Sequence, residues 1–150
     1  MEEFETMDRQ GTGLTIARMC IGLFFLAEGA SKYRWLTDSS MLVGQLSTWA
    51  QTAPADSLGA RYVEHFALPG AVYFARLVPL GEMTCGVAML VGFWTPLAAL
   101  AAFLMALNFQ IASGALFRTS FLTSGYGLPV LGTTLGLAVG GIRLPWSVRP

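Results

Sequence analysis

Four long apolar segments, separated by short polar breaks, organise this chain. They run from about Leu14 to Tyr33, Leu68 to Gly92, Pro96 to Leu116 and Leu122 to Ile142. Each matches the roughly 20 helical residues needed to cross the hydrocarbon core of a bilayer. Backbone groups at that depth must bond internally, which predicts helices rather than open strands. Phe93-Trp94-Thr95-Pro96 leaves only a tight turn between the second and third segments, making them antiparallel neighbours. The predicted fold is all-α: a bundle of four transmembrane helices in which residues 1–150 form a single integral membrane domain.

The stretch 39–64 is the one long connection. Met41, Leu42, Leu46 and Trp49 fall on one helical side, predicting a short interfacial helix there. Residues 52–56 read as a turn, and residues 113–127 as an irregular loop on the same side, so the two connections cap the bundle together. Trp35 and Trp94 suit interfacial depth, as do Trp49 and Trp146. Pro79 removes a backbone donor and predicts a kink just before Glu82. Gly132, Gly136 and Gly140 recur every four residues, and Ala98, Ala102 and Ala106 form a matching ridge. Such small-residue ridges let helix backbones approach closely in membranes. Packing within the bundle is the expected use of both.

Composition supports the membrane reading. The 150 residues are 54% hydrophobic and 12% charged, where a soluble domain carries about a quarter charged residues. Formal net charge is zero, which leaves no basic surface for nucleic acid. Cys20 and Cys85 lie inside apolar segments without CxxC spacing and read as packing residues. With His65 the single histidine, too few ligands are present for a protein-bound haem or zinc, and no metal site is expected. The opening MEEFETMDRQ lacks the basic region of a signal peptide, so the first apolar segment is expected to be a retained helix. Basic residues do not choose an orientation: Arg9, Arg143 and Arg149 stand on one side, against Lys32, Arg34, Arg61 and Arg118 on the other.

The candidate chemistry lies in the charged residues within the spans. Glu82 sits near the middle of the second, where a charge costs roughly 2.5–3.5 kcal/mol and ordinarily faces a protein interior with a partner. A rise of about 1.5 Å per residue allows depths to be compared across antiparallel helices. Glu28 and Arg76 fall at one level and are expected to form a structural ion pair. Asn108 falls beside Glu82, as polar glue or as part of a ligand or proton site, while Gln110 faces elsewhere. Arg18, Gly22, Phe25, Gly29 and Lys32 share one face of the first helix. From that face Arg18 reaches toward Glu82, and Lys32 snorkels to the headgroups.

These residues also carry a resemblance. ARMCIGLFFLAEGASKYRW is similar to the first helix of the DoxX family, and GEMTCGVAMLVGFWTPLAALAAFLMALNFQ resembles its second and third helices. The resemblance implies a multi-pass protein of a prokaryotic inner (cytoplasmic) membrane, acting as a quinone-linked subunit of a redox complex like thiosulfate:quinone oxidoreductase. In that reading Glu82 exchanges protons with the quinone, and Arg18 and Asn108 bind its headgroup. Phe25, Phe103 and Phe109 line an apolar slot. Electrons come from partner subunits, so the chain is inactive alone. The competing expectation is a non-catalytic assembly subunit of a respiratory or photosynthetic membrane complex. A small transporter fits less well, since no internal repeat or broken helix is seen.

Overall fold

Buried residues spaced three and four apart set how the helices pack. In α1 (Glu2–Ser31) the buried stripe is Thr15, Arg18, Ile21, Gly22, Phe25 and Gly29. In α4 (Ala71–Val91) it includes Ala75, Pro79, Glu82, Gly86 and Met89. The two stripes face each other, and glycines set the spacing. A Cβ on Gly86 would stand 2.6 Å from the Leu26 backbone nitrogen, and one on Gly29 would stand 2.8 Å from the Pro79 carbonyl oxygen. Side chains there would push the helices apart.

The computed structural model describes residues 2–54 and 56–148, with side chains from Arg9 onward. Most of the described residues are helical, and none of them forms a strand. Between α1 and α4 lie α2 (Ser40–Thr52) and α3 (Leu58–Tyr62), the latter running into a wider helical turn at Val63–Ala67. After α4 come α5 (Thr95–Ala112), the single turn α6 (Ser120–Thr123) and α7 (Leu128–Gly140). The tight turn expected between the second and third apolar segments is present. Gly92 takes a left-handed conformation at φ 71°, and the Phe93 amide donates to the Ala88 carbonyl at 2.8 Å. Only glycine adopts that backbone conformation without strain, and so it closes helices in this way.

Among the described residues, three helices are long and apolar enough to cross a membrane: residues 9–31, Ala71–Val91 and Thr95–Ala112. The chain is an all-helical integral membrane protein. The fourth predicted segment, 122–142, is not one long helix. α7 has 13 residues, a length of about 20 Å, and it is preceded by irregular chain from Ser113 onward. Gly114 at φ 68° turns the chain away after α5, and Gly127 packs against Phe121 where a side chain has no room.

Two apolar clusters hold the fold. One joins Ile21, Phe25, Met89, Ala102 and Leu137 across α1, α4, α5 and α7. The other joins Trp35, Leu42, Leu46, Val63 and Ala75, with α2 packed over the end of α4. Trp35 is thus a buried packing residue rather than an interfacial anchor.

The glycine ridge corrects an expectation. A Cβ at Gly132 or Gly136 would meet nothing within 4 Å, and one at Gly140 would meet only Leu14 at 3.6 Å. The buried stripe of α7 is Val130, Leu131, Thr134 and Leu137. Residues two apart lie about 200° around a helix, so the glycines occupy the opposite, outward face. Ala98 and Ala102, by contrast, are buried, and it is their side of α5 that joins the common core.

Candidate functional site

Glu82, midway along α4, has a side chain only 5% exposed. Its carboxylate accepts from the Lys32 ammonium at 2.8 and 3.0 Å. Lys32 also donates to a Glu28 carboxylate oxygen at 3.0 Å and to the Glu28 carbonyl at 3.2 Å. Glu28 and Lys32 are four apart on the end of α1, the spacing that brings helical side chains together. The other Glu28 oxygen accepts from the Tyr126 hydroxyl at 3.3 Å. One ammonium therefore holds two carboxylates, and the cluster carries a formal charge of minus one when all three groups are ionised.

Beside this cluster is a cavity of about 260 Å³. Phe24 and Phe25 of α1, Trp35, Trp49 of α2, and Phe109 of α5 form much of its wall. The ammonium of Lys32 lies 6.0 Å from the Trp35 ring centre and 5.8 Å from that of Phe109, within reach of a cation–π attraction. Gln110 is buried, lines the cavity, and donates to the Tyr126 carbonyl at 2.7 Å. Gln45 and Tyr126 are exposed lining residues and mark the outer side, where Glu28 is 30% exposed against 15% for Lys32. The two connections, 39–64 and 113–127, thus meet over one site, as their shared side implied.

Several sequence-predicted residues lie elsewhere. Glu28 and Arg76 do not pair. Gly29 packs at the level of Pro79 and Met83 rather than Arg76, and Arg76 is exposed, donating to the Val72 carbonyl of its own helix. Depth along the axis carries no azimuth, and Arg76 lies about 100° around α4 from buried Ala75. Asn108 is not beside Glu82. It accepts from the Tyr62 hydroxyl, while Gln110, about 200° further around α5, takes the cavity side. Phe25 and Phe109 line the cavity, but Phe103 is not among its lining residues.

Arg18 is fully buried near the middle of α1. Its guanidinium donates to the Ser147 hydroxyl and to the Pro145 and Trp146 carbonyls, at 3.4 and 3.1 Å for the last two. It packs against Gly92, ten residues and about 15 Å along α4 from Glu82, beyond the reach of one side chain. Arg18 clasps the C-terminal segment over the α4–α5 turn rather than serving the cavity. Lys32, assigned in sequence to the headgroups, is instead the central cation of the site. The Glu28–Lys32 spacing carried that signal, but the rule for terminal lysines masked it. Nothing in the local sequence marked Trp35, Gln45 or Tyr126, which reach the cavity through the packing of the connections.

A helical membrane protein with an internal charged cluster at the wall of an aromatic cavity is what these observations define. The DoxX family model matches residues 13–113, which span α1 through α5 and hold most of the cavity. The chain belongs to the DoxX family. No curated protein and no solved structure matches it.

Proposed function

We propose that this chain is the quinone-headgroup-binding membrane subunit of a multi-subunit redox complex. The observation that carries the reading is the joining of an aromatic cavity of about 260 Å³ to the Glu82–Lys32–Glu28 cluster. An apolar cavity of about 150 Å³ accommodates a benzene ring, so there is room here for one substituted six-membered ring. Carboxyl groups at hydrogen-bond reach of a ring oxygen are suited to proton exchange.

A bound quinone supplies a two-electron, two-proton couple. The residues of this chain hold the ring and handle the protons. Trp35, Trp49 and Phe109 wall the ring, and Glu82 gives and takes protons at its carboxylate oxygens. Lys32 fixes Glu82 against Glu28, which lies nearer the outside and passes protons onward. Electrons are exchanged with a partner subunit, and the chain is inactive alone. In this reading the membrane is a prokaryotic inner membrane, α7 crosses as a fourth, short span, and α2 lies at interfacial depth.

A second reading, a purely structural subunit, is favoured by the outward glycine ridge of α7, whose face is open at Gly132 and Gly136. Ridges of this kind dock against partner helices, so the two readings share an assembly role and differ only at the cavity. Glu82→Gln in the assembled complex separates them. Quinone turnover falls at least about 100-fold with the complex intact, in line with loss of a general acid–base group. Unchanged turnover, or loss of assembly alone, refutes the quinone reading.

A further inference from the structure

The hydrogen-bonding capacity of the cavity is lopsided. An ammonium has three N–H donors, and Lys32 has four oxygens within 3.2 Å: both of Glu82, one carboxylate oxygen of Glu28, and the Glu28 carbonyl. The one cation of the cluster has no donor left for a ligand. Its two carboxylates have capacity to spare. An ionised carboxylate offers about four acceptor sites. Glu82 uses two, both toward Lys32, and Glu28 uses one toward Lys32 and one toward Tyr126. The Tyr126 hydroxyl, the other donor at the cluster, is thereby committed as well. What remains to donate on the cavity wall is neutral: the Gln45 amide, the second N–H of Gln110, and the indoles of Trp35 and Trp49.

A ring carrying carbonyl oxygens meets carboxylate lone pairs at this wall and finds only neutral donors. A ring carrying hydroxyl groups finds charged acceptors, and hydrogen bonds to an ionised acceptor are roughly twice as strong as neutral ones. From this, and resting on the quinone reading above, we infer that the cavity is selective for the reduced, dihydroxy form of its aromatic ligand. The phenolic hydroxyls donate to Glu82 and Glu28. The site thus stores the hydroquinone in preference to the quinone. A tenfold preference raises the potential of the bound two-electron couple by about 30 mV.

The test uses the full chain in mild detergent at pH 7 under anaerobic conditions. The probes are 2,3-dimethoxy-5-methyl-1,4-benzoquinone, which has no tail to partition into micelles, and its hydroquinone. Calorimetric titration measures each affinity. The expected result is at least about tenfold tighter binding of the hydroquinone, a difference well within one charge-assisted hydrogen bond. Glu82→Gln supplies an amide donor in place of a carboxylate, and in that variant the preference falls to within about twofold. Glu28→Gln gives an independent second variant on the more exposed side, with a smaller loss of preference. Equal affinities for the two forms, or tighter binding of the quinone, overturn the selectivity and leave the quinone reading standing. Failure of folded protein to bind either form overturns both.

Discussion

Replacing Lys32 by Met removes the central cation while keeping most of the apolar stem. Glu82, with its side chain 5% exposed, then loses the ammonium that both of its oxygens contact. Removing one member of a buried pair costs about 3–5 kcal/mol, because an uncompensated charge is left behind. Protonation caps this loss: holding a carboxyl of ordinary pKa neutral at pH 7 costs about 4 kcal/mol. Glu28 adds only a few tenths of a kcal/mol, since its i,i+4 pairing with Lys32 is partly exposed and screened. The expected total is about 3–4 kcal/mol, or a melting shift on the order of 10 °C for a chain of this size. Glu82→Gln behaves differently. It leaves one ammonium facing one carboxylate, with an amide oxygen that still accepts, and costs about 1 kcal/mol.

Thermal unfolding in mild detergent, followed by tryptophan emission, measures both variants and the double Lys32→Met/Glu82→Gln. The double variant has no uncompensated charge at the Glu82 position and recovers at least half of the Lys32→Met loss. Such recovery is the coupling that a double-mutant cycle reports. Two results refute the reasoning. One is a Lys32→Met variant that melts within about 2 °C of the parent. The other is a double variant no more stable than Lys32→Met alone.

Glycine position decides a second comparison. Gly86→Val and Gly29→Val force backbone contacts apart and are expected to destabilise by at least the 1–3 kcal/mol typical of overpacking. Gly132→Val leaves the melting of the isolated chain unchanged, since its methyl position is open, and equal melting losses at all three sites contradict this packing. Arg18→Met frees residues 145–147 from their clasp. Trypsin cleavage at Arg143 is then expected to rise about tenfold, the effect of a local opening made easier by 1.4 kcal/mol. Arg18→Lys does not restore protection, because an ammonium lacks the planar fork that serves several acceptors. An unchanged cleavage rate removes the clasp. Outside the spans, burial pushes the Tyr62 phenol above its usual range, and the hydrogen bond with Asn108 opposes this more weakly. Its stabilising contribution is present below about pH 10 and is lost as pH rises through the raised value. Absorbance titration near 295 nm resolves a late component that Tyr62→Phe abolishes, and its absence argues against burial of the phenol.

The apolar segments and their antiparallel pairing were legible because hydrophobicity and turn length act locally. The turn at residues 92–94 takes positive φ at two positions, Gly92, which suits it, and Trp94, which nothing in the sequence signals. What was not legible was azimuth. Glu28 with Arg76 and Glu82 with Asn108 were matched by depth along the helix axis, yet each of these pairs has one member facing away from its partner. Buried Ala75 and Pro79 beside exposed Arg76 show how far one step of sequence rotates a side chain. The fourth apolar segment departs from its expected length for another reason. Hydropathy runs through residues 122–142, but Gly125 and Gly127 fall in a turn, and α7 begins only at Leu128, with Pro129 in its first turn.

That shortened helix explains why a charged site sits where it does. α1 ends at Ser31, level with Pro79 and Met83 through the Gly29 contact, and α4 continues two turns further to Ala71. α7 runs antiparallel to α1, from Val130 at the cavity to Gly140 beside Leu14. One end of the bundle therefore has four helices, and the other has only α4 and α5, with α2, Trp35 and the Tyr126 loop filling the vacated space. Helix ends leave carbonyls without partners, and the negative end of the α1 dipole favours a cation. Lys32 occupies that position and takes the Glu28 carbonyl as one of its acceptors. A continuous fourth helix through residues 122–142 would close this gap with side chains. The truncation of α1 and α7 at one level is thus what opens a cavity around Glu82.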